Sequence, residues 1–215
     1  MKKVFIFDFD GTLYSGENIY CNIHSFINNY KRSFLQNITD EEYEKILKEN
    51  PSWSDAFSGA DICEHIYLFI KKYPKLNIKI NEYRKWLLNV IEPVEIDKNQ
   101  VVDIVFLKKL CEKFPVYIVS NSDIVHVKHY MNQIGINPAW FKSIISNQFI
   151  KRDRTKKHYY KDILTWENCT PKEAFVLGDS YNSDIVPAKK LGINTFHITD
   201  SRKIKDIVED VIDNF

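Results

Sequence analysis

The chain has 215 residues, with 30 Lys and Arg against 29 Asp and Glu for a formal net charge of +1, and 44% of its residues are hydrophobic. That length can bury one good core, or one core plus a small lobe. The near-neutral balance gives no field to draw nucleic acid or a membrane surface, and no apolar run is long enough to span a bilayer.

The first element is Val4-Phe5-Ile6-Phe7, an apolar run rich in β-formers that reads as a strand covered on both faces. It runs straight into Asp8-Phe9-Asp10-Gly11-Thr12. Alternation along a strand puts Asp8 and Asp10 on the same side at its carboxyl edge, and Gly11 lets the backbone turn behind them. Two close carboxylates repel, and a hard divalent cation such as Mg²⁺ is the usual remedy.

From Thr12 to about Ile91 the pattern is helical. Ile19, Ile23, Phe26, Ile27, Tyr30 and Phe34 follow three-and-four spacing. Thr39 with Glu42 forms a capping box for a helix that Pro51 stops. Ile62, Ile66, Phe69, Ile70 and Tyr73 make a further stripe, ended by Pro74, and Asn81 can cap a segment carrying Tyr83, Trp86, Leu87 and Val90. Short helices without strands, set between the first two sheet strands, predict a separate helical lobe. The expected division is residues 1–14 with 95–215 for one domain and 15–94 for the other, with crossings near 14–17 and 92–97. Trp53 falls in a loop between predicted helices of the lobe.

Beyond Asn99, helices alternate with strands. Helices are predicted over 101–113, 124–134 (ending at Gly135), 159–167 and 185–191 (closed by Gly192), with a terminal helix after them. Strands are predicted over 116–119, near 144–145, at Phe175 and over 195–198. This alternation implies a Rossmann-like α/β fold, a parallel sheet with helices on both faces. The four cysteines, Cys21, Cys63, Cys111 and Cys169, are scattered without a C-x-x-C pair, as in reduced intracellular proteins. Asp8 interrupts the apolar run after Lys2 and Lys3 too early for a signal peptide. The expected location is cytoplasmic.

Two further strand ends carry chemistry. Ala174-Phe175-Val176-Leu177-Gly178-Asp179 is again an apolar run closed by glycine and aspartate, and Asp184 follows. Val116-Tyr117-Ile118-Val119 ends in Ser120-Asn121-Ser122-Asp123 just before a helical pattern. That is a plausible anion cradle, because a helix start offers unpaired N–H groups and a positive dipole end. Ligands of α/β sheets sit outside the carboxyl ends of the strands, so these carboxylates belong to one crevice. His126 and His129 lie three apart on the following predicted helix, but no acidic or thiol ligand is near enough in sequence to suggest zinc.

Asp8-Phe9-Asp10-Gly11-Thr12, Ser120-Asn121 and Gly178-Asp179-Ser180 with Asp184 resemble, in order, the first, second and fourth motifs of the haloacid dehalogenase (HAD) superfamily. The resemblance implies a HAD-like core with 15–94 inserted as a helical cap. It also implies a Mg²⁺-dependent phosphatase acting on a small phosphorylated metabolite. In those terms Asp8 is the nucleophile and Asp10 the acid/base. Asp8, Asp10 (through its carbonyl) and Asp179 hold Mg²⁺, with Asp184 behind them. Ser120 and Asn121 hold phosphoryl oxygens, with Thr12 also beside the substrate.

The family's third motif supplies a lysine, and here the match loosens to Lys151-Arg152-Asp153-Arg154-Thr155-Lys156-Lys157. An ungapped alignment puts Arg154 in that place; a shorter loop brings in Lys157, which we favour as the catalytic cation, or Lys156. Arginine clamps phosphate in two-pronged fashion and is no neutral copy of an ammonium group. No nucleic-acid or membrane partner is expected, and the assembly is taken as a monomer or homodimer. A dehalogenase is disfavoured by the acid/base at Asp10. A phosphomutase or phosphotransferase of the same family, and a non-catalytic binding protein that keeps the fold, are the alternatives.

Overall fold

A computed structural model of the chain describes residues 2–14, 36–49, 72–74, 98–122, 124–146 and 154–214. The chain divides into two compact units, residues 1–16 with 95–215 and residues 17–94. In the smaller unit the described helix is α1 (Asp40–Glu49). Its start is the expected capping box: Glu42 N–H donates to Thr39 Oγ1 at 3.2 Å, and Thr39 N–H donates to Glu42 Oε2 at 3.1 Å. The stripes at 19–34, 62–70 and 83–90, Trp53 and the crossing at 92–97 lie outside the described residues.

The larger unit is built on five parallel strands, β1 (Val4–Phe7), β2 (Val116–Ser120), β3 (Ser143–Ser146), β4 (Ala174–Gly178) and β5 (Asn194–His197), in the order β3-β2-β1-β4-β5. Phe7 pairs with Ile118 on one side and Leu177 on the other. Parallel neighbours cannot be joined by a hairpin and need a crossover. The helices that supply it are α2 (Ile104–Lys113) ahead of β2, α3 (Ile124–Gln133), α4 (Lys156–Trp166) and α5 (Val186–Lys189), and the terminal α6 (Ile204–Asn214) follows β5.

The central strands are apolar throughout because both faces are covered. Val4 and Ile6 of β1 join Tyr117, Val119, Ala174 and Val176 in a buried cluster with Tyr159, Tyr160 and Ile163 of α4 and Ala188 of α5. On the opposite face Phe5 stacks on Phe175 at 5.4 Å and meets Phe114 edge-on at 5.5 Å. Lys3, on that same face by alternation, sends its ammonium to the carbonyls of Val211 and Ile212 in α6 at 3.0 and 2.7 Å.

The chain builds outward from β1 to β2 and β3, then returns to place β4 on the other side of β1. Connections therefore leave β1 and β4 in opposite directions, which opens a crevice at their carboxyl ends. Asp8 follows one of these strands and Asp179 the other.

Two helix starts differ from the sequence expectation. α2 begins at Ile104 rather than 101, because Asp103 caps it by accepting from Phe106 N–H at 2.9 Å. α4 begins at Lys156 rather than 159. Thr155 is its N-cap and His158 replaces the usual acidic partner, with Thr155 N–H donating to His158 Nδ1 at 3.1 Å. Between β4 and α5 the chain makes a π-helical turn, Tyr181–Ile185, a form that concentrates at functional sites.

Candidate active site

Three carboxylates meet at the crevice. One oxygen each from Asp8, Asp179 and Asp184 lie within 4.8 Å of one another, although the residues come from opposite ends of the chain. Asp184 is fully buried and Asp8 nearly so. The turns around them hold these positions. Ser180 N–H donates to Asp184 Oδ2 at 3.0 Å, and Asp184 N–H donates to the Ser180 carbonyl at 2.9 Å. Thr12 Oγ1 accepts from Asp179 N–H at 3.0 Å and donates to Asp179 Oδ1 at 3.4 Å.

Two glycines are required here for space. Gly11 has φ +74°, and a Cβ on it would strike the Asp179 carboxylate. A Cβ on Gly178 would strike Asp184. Any side chain at either place pushes a carboxylate out of the cluster.

The cation of the site is Lys156. Its ammonium donates to Asp8 Oδ1 at 2.7 Å and also to Asp184 Oδ1, and the residue is buried. This corrects the preference for Lys157. Because α4 starts at Lys156, its inward register is Lys156, Tyr159, Tyr160 and Ile163, all buried, the three-and-four spacing of one helix face. Lys157 is one step around the helix and only half-buried. Arg154, expected at the substrate, instead pairs with Asp162 and lies over the Tyr159 ring at 5.1 Å.

Burial raises the pKa of Asp8; Lys156 pulls it back down and the Asp179 charge adds to the rise, leaving it well above the usual carboxylate range. Burial, then the Asp8 charge, lifts Asp184 to about 6 against Lys156. Burial works to neutralise Lys156, but Asp8 and Asp184 outweigh it and hold the ammonium charged.

Asp10 stands apart from the carboxylate cluster, in a cage of its own. Oδ1 accepts from the Tyr14 hydroxyl and faces His126 Nε2 at 3.2 Å; Oδ2 accepts from Ser122 Oγ at 2.5 Å and Ser120 Oγ at 3.4 Å. Burial acts to raise its pKa, but His126 and the hydroxyl donors prevail and bring it down to about 2. With both oxygens engaged, Asp10 could ligate a metal only through its backbone carbonyl. Ser120 Oγ also accepts from Ser122 N–H at 3.0 Å, and Asn121 Nδ2 donates to Ser183 Oγ at 2.9 Å, tying the end of β2 to the π-turn.

Ser122 belongs to the cradle expected at the end of β2, whereas no motif marks Tyr14 or His126 for the site. His126 was visible as one of a pair with His129, but His129 bonds Gln133 Nε2 at 3.1 Å instead. The overlooked signal was position: His126 sits in the first turn of α3, which starts beside the carboxyl edge of the sheet.

Three carboxylates against one ammonium leave about two negative charges in a buried place when all are ionised, which a protein tolerates with a counter-charge or by taking up protons. Hard oxygen donors in that number suit Mg²⁺. Asp8 and Asp179, with Asp184 behind them, are the residues that would hold it.

The motifs, the sheet order and this site coincide with one protein class. A family model for haloacid dehalogenase-like hydrolases matches residues 2–192. The chain belongs to that family and is a hydrolase of the HAD type. No curated protein matches it by sequence.

Among solved structures, a 2-haloacid dehalogenase from Pseudomonas syringae pv. Tomato aligns at 15% identity and a TM-score of 0.60, over 98% of this chain and 100% of that one. The HAD-hydrolase YfnB from Bacillus subtilis, bound to magnesium, aligns at 17% identity and a TM-score of 0.56, over 97% and 99%. A HAD family enzyme from Bacteroides thetaiotaomicron, in complex with magnesium and inorganic phosphate, aligns at 18% identity and a TM-score of 0.53, over 96% and 99%. These likenesses establish the shared fold. Among the described residues no helix is long and apolar enough to cross a membrane.

Proposed function

We propose that this hydrolase is a Mg²⁺-dependent phosphatase of small phosphorylated metabolites, working through a phosphoryl group carried on Asp8. The observation that carries the reading is Asp8 itself. It is a buried carboxylate held by Lys156 at 2.7 Å, within a cluster that calls for a divalent cation. The magnesium and inorganic phosphate bound by the relative from Bacteroides thetaiotaomicron support it.

Phosphate monoesters are among the slowest substrates to hydrolyse unaided, and the barrier is chiefly one of charge and position. Bound at the carboxylate cluster, Mg²⁺ supplies positive charge that lets a phosphate dianion approach an anionic nucleophile. Lys156 fixes Asp8 and neutralises part of the same charge. Asp8 attacks phosphorus and the ester oxygen leaves with its electron pair, taking a proton from Asp10. Water then attacks the aspartyl phosphate and gives its proton to Asp10. In the resting site Asp10 is ionised, the form that suits this second step, and a phosphate dianion beside it raises its hold on a proton. Ser120 and the Asn121 N–H are taken as the groups that receive phosphoryl oxygens, close to a helix start.

A halide ion leaves without needing a proton, so dehalogenation would leave the acid half of the role of Asp10 unused. The insertion at 15–94 is taken as a helical domain of its own, in keeping with α1. The enzyme is taken to act in the cytoplasm, as a monomer or homodimer, without a nucleic-acid or membrane partner.

The test is a panel of phosphate esters and 2-haloacids assayed with and without Mg²⁺, for the wild type and Asp8→Asn. Phosphate release that needs both Mg²⁺ and Asp8 is expected. Halide release, or phosphate returned to a second position on the substrate, would refute the reading.

A further inference from the structure

The donors around Asp10 are of two kinds. Tyr14 is fully buried and His126 nearly so. Both rings lean on Tyr130: His126 lies 4.5 Å from it centroid to centroid, and Tyr14 stacks parallel to it at 6.0 Å and 6°. Phe9 closes the row, edge-on to Tyr14 at 5.0 Å. Packed rings of this kind cannot swing away from Oδ1. An ionised carboxylate only accepts, so the ring nitrogen facing it carries the hydrogen. At Oδ2 the partners are the hydroxyls of Ser120 and Ser122, which turn freely about one bond and can give way to an incoming group.

We propose that His126 is a positioning residue that, with Tyr14, anchors Oδ1 of Asp10 and leaves Oδ2 as the oxygen that exchanges the proton. This rests on the phosphatase reading above. In the first half-reaction the bond from phosphorus to the leaving oxygen breaks, the electron pair stays on that oxygen, and the Oδ2 proton moves to it. In the second, water oxygen bonds phosphorus, the bond from phosphorus to Asp8 breaks and returns its pair to the carboxylate, and the water's proton moves to Oδ2. Both transfers need Oδ2 within hydrogen-bond reach of a moving group. An unanchored carboxylate spends most of its time misaligned.

The dependence on the leaving group isolates this role. An alkoxide departs only as it is protonated, whereas p-nitrophenolate departs unaided. The experiment measures single-turnover release of alcohol from an alkyl phosphate that the wild type accepts, and of p-nitrophenol from p-nitrophenyl phosphate, for His126→Ala and His126→Gln. For His126→Ala the expected loss is about 10- to 100-fold on the alkyl ester, part of the ~10²–10⁴ that acid–base catalysis supplies. The loss on the aryl ester is expected to stay below about 3-fold, with KM nearly unchanged. Gln keeps an N–H donor at similar reach and should restore most of the alkyl rate.

Equal slowing on both esters, or none, would overturn the proposal. A second readout does not need turnover. The His126 Nε2–H resonance should move in Asp10→Asn and stay in place in Asp8→Asn. Failure to move contradicts the anchor, whereas a wild type inert toward every ester contradicts the phosphatase reading instead.

Discussion

Lys156 donates to Asp8 at 2.7 Å across 148 positions of sequence, and it does so from the first residue of α4. The position of one helix start thus decides which of several neighbouring cations enters the site.

Replacing Lys156 with Ala should lower kcat/KM by about 10²–10³-fold, the scale of removing one preorganised electrostatic contact. Lys157→Ala should stay within about 3-fold of wild type, as surface substitutions do. Arg154→Ala breaks its pair with Asp162, with a cost of about 1 kcal/mol or less in stability and no comparable loss of rate. Steady-state kinetics and thermal melts of the three variants check this.

Gly178→Ala should displace Asp184, because the added methyl occupies the carboxylate's place. Overpacking of that kind costs about 1–3 kcal/mol. Activity should fall further than stability, since the displaced group belongs to the acidic cluster. Denaturant unfolding beside a Mg²⁺ titration separates the two effects.

Thr12→Val removes a hydroxyl bonded to both the backbone and the side chain of Asp179. Loss of such a supporting contact typically weakens metal affinity about 10- to 100-fold. Calorimetric titration with Mg²⁺ should show that loss with the fold intact by circular dichroism.

The acidic groups give the metal-free protein a pH signature. Asp184 is raised from 3.8 to about 6, so the native state holds a proton that the unfolded state releases. Stability from this group is therefore greatest at low pH and declines as pH rises from about 4 to about 6; Asp8, also raised, adds to the decline. Asp10 has the opposite sign: lowered to about 2, it contributes stability above 3.8 that is lost as pH falls toward 2. Because Mg²⁺ needs the ionised carboxylates, the rise in Tm that it gives should be larger at about pH 8 than at about pH 5. Melting curves across that range, with and without Mg²⁺, read both effects.

Much of this was legible in the residues. Apolar runs ending in Asp8, Ser120 and Asp179 announced parallel strands with a site at their carboxyl edge, because burial on both faces and a charged end leave few other readings. The start of α4 was not legible, since its capping partner is His158 rather than the acidic residue that marks a capping box. Residues 156–158, which read as loop, belong to α4, and its register turns Lys156 rather than Lys157 inward. The Asp10 cage was hidden for a different reason. Ser122 and His126 reach Asp10 only through the pairing of β1 with β2, and nothing in the sequence marks Tyr14, four residues along from Asp10, as its partner.

The proposed carrier of the phosphoryl group is Asp8. The direct measurement is acid quenching during turnover of a ³²P-labelled ester with Mg²⁺, followed by peptide mapping. Label is expected on the peptide containing Asp8 and none in Asp8→Asn; turnover with that peptide unlabelled, or with label on another residue, would rule Asp8 out as the carrier.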